Sequence, residues 1–193
     1  MVSIARDLVY LTVGVEQLET YLLSKELFWP LGSSADDGRA LPRLTLGGLL
    51  LAQARLETRD LTVAHQAEYA RAVREIDSSR TRWRAAWGRK AARSFPSRLN
   101  QWKHYLDECQ QNPQAHLAFY SQEVRIRVLL HLLEPQLDIP SSAHLTALAG
   151  LDIRLKTCFE PGEFIWDADL QPGFPKDIYW YLYGGIVEVS KPS

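Results

Sequence analysis

Sulfur is scarce in this chain: 193 residues hold two cysteines and one methionine. Cys109 and Cys158 stand far apart and in no C-x-x-C arrangement, which fits a reducing cytoplasm where buried thiols act as small apolar residues. A disulfide between them is the alternative. Long apolar runs are also missing, and no window approaches the roughly 18 uncharged residues that a membrane span requires. The first residues, MVSIARDLVYLTVGVEQLE, carry Asp7 and Glu16 inside the apolar stretch and lack a basic n-region and an A-x-A site, so they do not read as a signal peptide. Internal repeats and low-complexity segments are absent, and a chain of this length and 46% hydrophobic content can bury a core without metals or disulfides.

Catalytic and ligand-binding signatures are missing as well. Gly47-Gly48 lies in no phosphate-binding spacing and reads as a site of close helix packing. The five histidines are scattered singly. His131 and Glu134, at i and i+3, read as a helix-end pair rather than metal ligands. Asp167-Ala168-Asp169 starts like a calcium loop, but Pro172 stands where the loop needs glycine and Ile178 where it needs glutamate. No G-x-S-x-G elbow is present, and Cys109 near His104 has no local nucleophile signature. Glu160, Glu163, Asp167 and Asp169 are the only candidates for catalytic carboxylates, and they read as solvated acids. No cofactor and no metal is expected, and the chain reads as non-catalytic.

What the sequence does contain is segregated charge. From Arg71 to Lys103 there are ten basic residues against Glu75 and Asp77, a formal charge of +8 in a chain whose total is −1. The same stretch holds Trp83, Trp87 and Trp102. Arg74, Arg80, Arg84, Arg89, Lys90, Arg93 and Arg98 are therefore candidates for phosphate contacts, with Trp83, Trp87 or Trp102 to stack on unpaired bases. Against this stands an aromatic, acidic segment, residues 159–183, in which five acids face one lysine. It offers the arm an internal counter-charge, and internal pairing is the favoured expectation.

Periodicity predicts an all-α fold. Ile4, Leu8, Leu11, Val15, Leu18 and Leu22 share one helix face over 3–27, with Gly14 a weak point. A strand at 8–13 is the alternative there. Residues 33–43, SSADDGRALPR, read as an exposed loop, after which Thr45 caps a helix through Glu57. Asp60 caps a long helix to about Ala92, Ser94-Phe95-Pro96-Ser97 breaks it, and Leu99, Trp102, Leu106 and Cys109 continue as a separate helix to Asn112-Pro113. Further helices start at Ser121 and after Pro140, the last running to about Thr157, with a hairpin over 151–167 as the alternative. A short helix is expected at Lys176–Tyr183, and Tyr179, Trp180, Tyr181 and Tyr183 are too many for one buried face.

The expectation is thus one helical domain over 1–193: an irregular bundle with one long central helix and an aromatic C-terminal segment wrapped over it. Its function reads as a cytoplasmic scaffold or protein-interaction module, with a protein partner or homo-oligomerisation through exposed aromatics. A nucleic-acid-binding protein using 71–103 is the alternative.

Overall fold

A computed structural model describes residues 3–32, 40–139 and 141–188, and these are mainly α-helical. The first amphipathic stretch forms α1 (Ile4–Glu16) and α2 (Leu18–Leu23), with a step at Gln17. Gly14, the weak helix former, lies under Leu44 and Leu49, where a β-carbon would come within 3.1 and 3.3 Å of their methyl groups. Trp29 and Leu44 exchange backbone hydrogen bonds of 2.9 and 2.7 Å, closing the base of the intervening loop, of which 33–39 lie outside the described residues.

Helix α3 (Leu46–Glu57) starts at Thr45, whose hydroxyl accepts from the Gly48 amide at 3.0 Å. It is packed against α1 and against α8 (Arg125–Leu133). Gly47 makes the second contact possible, because Leu129 and Leu133 fill the place of its side chain. The expectation of close packing at Gly47-Gly48 is met.

The long helices depart from the sequence reading. Helix α4 (Val63–Arg82) is capped by Thr62 rather than Asp60, and it ends at Trp83, whose φ of −111° and ψ of 33° leave the helical region. Helix α5 (Arg84–Gln111) then runs straight through the expected break at 94–97. Pro96 is tolerated inside it because the carbonyl it leaves without a donor belongs to Ala92, on the exposed side where water can replace the bond. The longest helix is therefore 84–111, not 60–92.

Short α6 (Pro113–His116) and α7 (Tyr120–Glu123) lead into α8, and α9 (Ser142–Lys156) returns along α5. Helices α5 and α9 run in the same direction. The ring of Phe95 meets that of His144, and further along both helices Arg154 donates to the Leu106 carbonyl and the Asp107 carboxylate, each at 2.5 Å.

The helix to 157 is observed, and the hairpin over 151–167 is not. Instead β1 (Phe159–Phe164) pairs antiparallel with β2 (Tyr183–Ile186), Phe159 opposite Ile186 and Phe164 opposite Tyr183, with a bulge after Pro161. Gly184 has φ +139°, and a β-carbon there would stand 2.1 Å from the Glu160 carbonyl oxygen, so glycine alone fits. The helix expected at Lys176–Tyr183 is a single 3-10 turn, Trp180–Leu182, with β2 following. This C-terminal cap covers α3, α7 and α8. Tyr179 and Tyr181 are buried and Trp180 is half-buried, in one cluster of rings with Phe159, Phe174 and Trp166, while the buried Tyr183 ring meets Phe164. Of the aromatics expected at the surface, the three tyrosines are thus core residues and Trp180 keeps a partly open face.

Candidate interaction surface

The basic arm spans the C-terminal half of α4, the kink at Trp83 and most of α5. Helical geometry sorts its residues by face. On α4, Ala72 and Ile76 turn inward and Arg71, Arg74 and Arg82 outward. On α5, Ala86, Trp87, Ala91, Phe95 and Trp102 turn inward, while Arg89 and Arg93, one turn apart, turn outward with Lys103. Of the nine residues singled out in the sequence, Arg74, Arg80, Arg84, Arg89 and Arg93 are exposed, and Trp83 and Arg98 are half-buried.

The remaining two, Trp87 and Lys90, leave the surface. Trp87 is 3% exposed, and its indole Nε1 donates to Gln136 Oε1 at 3.0 Å. Lys90 is 2% exposed. Its ammonium closes the C-terminal end of α2, donating to the carbonyls of Ser24 (3.0 Å) and Glu26 (2.7 Å) while lying 4.3 Å from the centre of the Tyr21 ring. Burial and the neighbouring Arg93 charge lower its pKa to about 8, against a small upward pull from Glu26. Its position one turn from both Trp87 and Ser94, on the buried stripe of α5, was the signal in the sequence that it faces inward.

Arg98 is held in place rather than free. Its guanidinium donates to Gln101 Oε1 at 2.8 Å and lies 5.4 Å from the Phe28 ring centre, and burial together with the Arg125 charge lowers its pKa. Trp102 is fully buried and stacked on Tyr105, so Trp83 is the arm's one tryptophan with a partly open face. The Arg82 guanidinium lies 5.2 Å from its ring centre.

Among the described residues, the tail's ion pairs run to Arg59 rather than to the arm, against the expectation of internal pairing. Its ion-pairing carboxylates, Asp167 and Asp169, meet Arg59 beyond the end of α3, at 3.6 and 2.8 Å. Arg59 also faces Asp7 of α1 at 3.7 Å, and Asp7 faces Arg55 at 3.8 Å. Burial raises the pKa of Asp7, and the two arginines oppose that shift. The Arg55 guanidinium further lies 5.1 Å from the Trp166 ring centre. These contacts fix the cap over α3, while Arg89 and Arg93 of α5 stay exposed. Glu160 and Glu163, the other carboxylates considered for catalysis, are exposed on β1. Among the described residues, the arm's own ion pairs are local: Arg80 with Asp77 at 3.0 Å and Lys103 with Asp107 at 2.7 Å.

Beside the arm, a groove of about 350 Å³ between α1 and α4 is lined by Thr12, Val15, Glu16, Arg71, Ala72 and Glu75. Among the described residues no three histidine, cysteine, aspartate or glutamate side chains gather as a metal site, and no helix is long and apolar enough to cross a membrane. The His131 ring meets the edge of Tyr179 instead, with centroids 4.8 Å apart. The fold and surface together define a mainly α protein with an outward basic helix face. No family model, no curated protein and no solved structure matches the chain.

Proposed function

We propose that the chain is a non-catalytic helical interaction module whose contact surface is the outward face of the α4–α5 arm, and whose partner is an acidic protein segment. The observation that carries this reading is the separation of the two charged regions. The cap's ion-pairing acids are engaged by Arg59, whereas Arg89 and Arg93 stay exposed one turn apart on α5, with Arg84 exposed at its start and Arg74 exposed on α4. Exposed like charges close together repel one another, and an acidic partner relieves that repulsion. Burial of the cap's tyrosines favours a charged contact over an apolar one. A cytoplasmic setting agrees with two free thiols.

Nucleic acid is the second reading, favoured by the partly open Trp83 ring between Arg82 and Arg84. The two separate in one titration. Fluorescence anisotropy of a labelled glutamate-rich peptide, and of single- and double-stranded oligonucleotides, is recorded at about 50 and about 200 mM salt. The leading reading expects the peptide to bind, to weaken with salt, and to be lost in Arg84→Glu/Arg89→Glu/Arg93→Glu at unchanged thermal midpoint. Oligonucleotide binding with a steep salt slope transfers the assignment to nucleic acid. No binding of either at low salt removes the arm as a contact surface.

A further inference from the structure

The two cysteines, 109 and 158, stand at matching positions along the parallel course of α5 and α9. Phe95 of α5 lies beside His144 of α9. Arg154 then reaches Leu106 and Asp107, so the two helices are still in step some three turns later. Fourteen residues beyond Phe95 and His144, about four turns, stand Cys109 and Cys158. The chain remains wound to that point, because the Cys158 amide donates to the Leu155 carbonyl at 3.1 Å. The Cys158 thiol points back over the helix end, 3.3 Å from the same carbonyl oxygen. The Arg154 guanidinium pulls the pKa of both thiols down, and ionisation of Cys109 would push that of Cys158 up. Both are free thiols, Cys109 buried and Cys158 half-buried.

We propose that Cys109 and Cys158 form a reversible disulfide when the protein meets a small-molecule disulfide such as oxidised glutathione. Cys158, the more accessible, loses its proton to solvent, and its thiolate attacks one sulfur of the small disulfide. That S–S bond breaks, a mixed disulfide forms on Cys158, and one small thiolate leaves. The Cys109 thiolate then attacks the Cys158 sulfur, forming the intramolecular bond and releasing the second small thiolate. Two protein thiols are oxidised and one small disulfide is reduced to two thiols. Cys158 immediately precedes β1, so the bridge ties the root of the cap to α5.

Burial raises the pKa of both thiols, with Glu108 and Glu123 adding to the effect at Cys109 and Tyr105 and Arg154 opposing it. The reaction is accordingly slow at neutral pH and faster at pH 9.

The test uses the full chain in native buffer with oxidised glutathione. The expected result is loss of both titratable thiols, a mass lower by the two thiol hydrogens, and a proteolytic peptide joining the segments around Cys109 and Cys158. The bridged protein should also unfold at a higher temperature than the reduced form. Cys158→Ser should block the bridge and leave Cys109 reduced. Cys109→Ala should stop the reaction at the glutathione adduct on Cys158. Persistent adducts on the wild-type chain, linkage between chains, unreacted thiols at pH 9, or a bridge that appears only in urea would each overturn the proposal.

Discussion

Lys90 is 2% exposed, with its ammonium 4.3 Å from the centre of the Tyr21 ring. In a +8 stretch it counts as one more surface cation, yet it pins the chain just past α2, satisfying the carbonyls of Ser24 and Glu26. Removing it strands those acceptors in a buried place, so Lys90→Met should destabilise the fold by about 2–4 kcal/mol in urea unfolding. The sign of the pH effect follows from the lowered pKa. Between about 8 and the usual lysine value the unfolded chain keeps the proton that the native chain has released, so stability from this group rises with pH across that window. The difference in unfolding free energy between wild type and Lys90→Met should therefore grow from pH 7.5 to pH 10. A flat difference would show that Lys90 keeps its proton throughout.

At the scale of elements, what joins cap to bundle is a small number of close fits. Gly173 is one: a β-carbon there would lie 1.9 Å from Thr58 Cγ2, at the end of α3. Gly173→Ala should destabilise by about 1–3 kcal/mol through overpacking, and Thr58→Ser, which deletes that methyl group, should recover most of the loss. Full cost in the double variant would place the effect in the backbone of the Ala168–Gly173 turn instead. Much at this scale was legible beforehand. The 3–27 face, the Thr45 cap, the helix end at Asn112-Pro113 and the helix to 157 all follow from local spacing and caps. Three features were not. Pro96 signals a break unless its solvent-facing side is known, and Trp83 ends α4 with no breaker residue to announce it. The pairing of 159–164 with 183–186 joins segments some twenty residues apart, and no local periodicity specifies such a partner.

For the molecule as a whole, the arm's exposure depended on where a distant segment packs. Counting charges could pose that question, and only the fold answers it, since Arg59 engages Asp167 and Asp169 through a three-dimensional coincidence with Asp7. The cap's Leu170, Phe174 and Tyr181 belong to the same continuous core as Leu11, Leu49 and Trp102. We accordingly expect single-domain behaviour: far-UV circular dichroism and tryptophan fluorescence should trace one coincident urea transition. A separate early transition in fluorescence would mean that the cap unfolds on its own. If the Cys109–Cys158 bridge forms, it closes a loop of roughly 50 residues and, in the chain-entropy picture, adds about 4 kcal/mol to the stability of that unit.

The burial of Tyr181 has a consequence in time as well as in space. Its side chain is fully enclosed, with Tyr120 donating to its carbonyl at 2.7 Å and Arg127 lying 4.7 Å from its ring centre. During synthesis the helices that receive it leave the ribosome first, and the residue that seals them follows α8 by 48 positions, from Leu133 to Tyr181. Until that residue emerges, a nascent chain already holding α3 and α8 presents an uncovered apolar floor. The stretch around Tyr181 thus decides when the earlier helices stop being a target for chaperones.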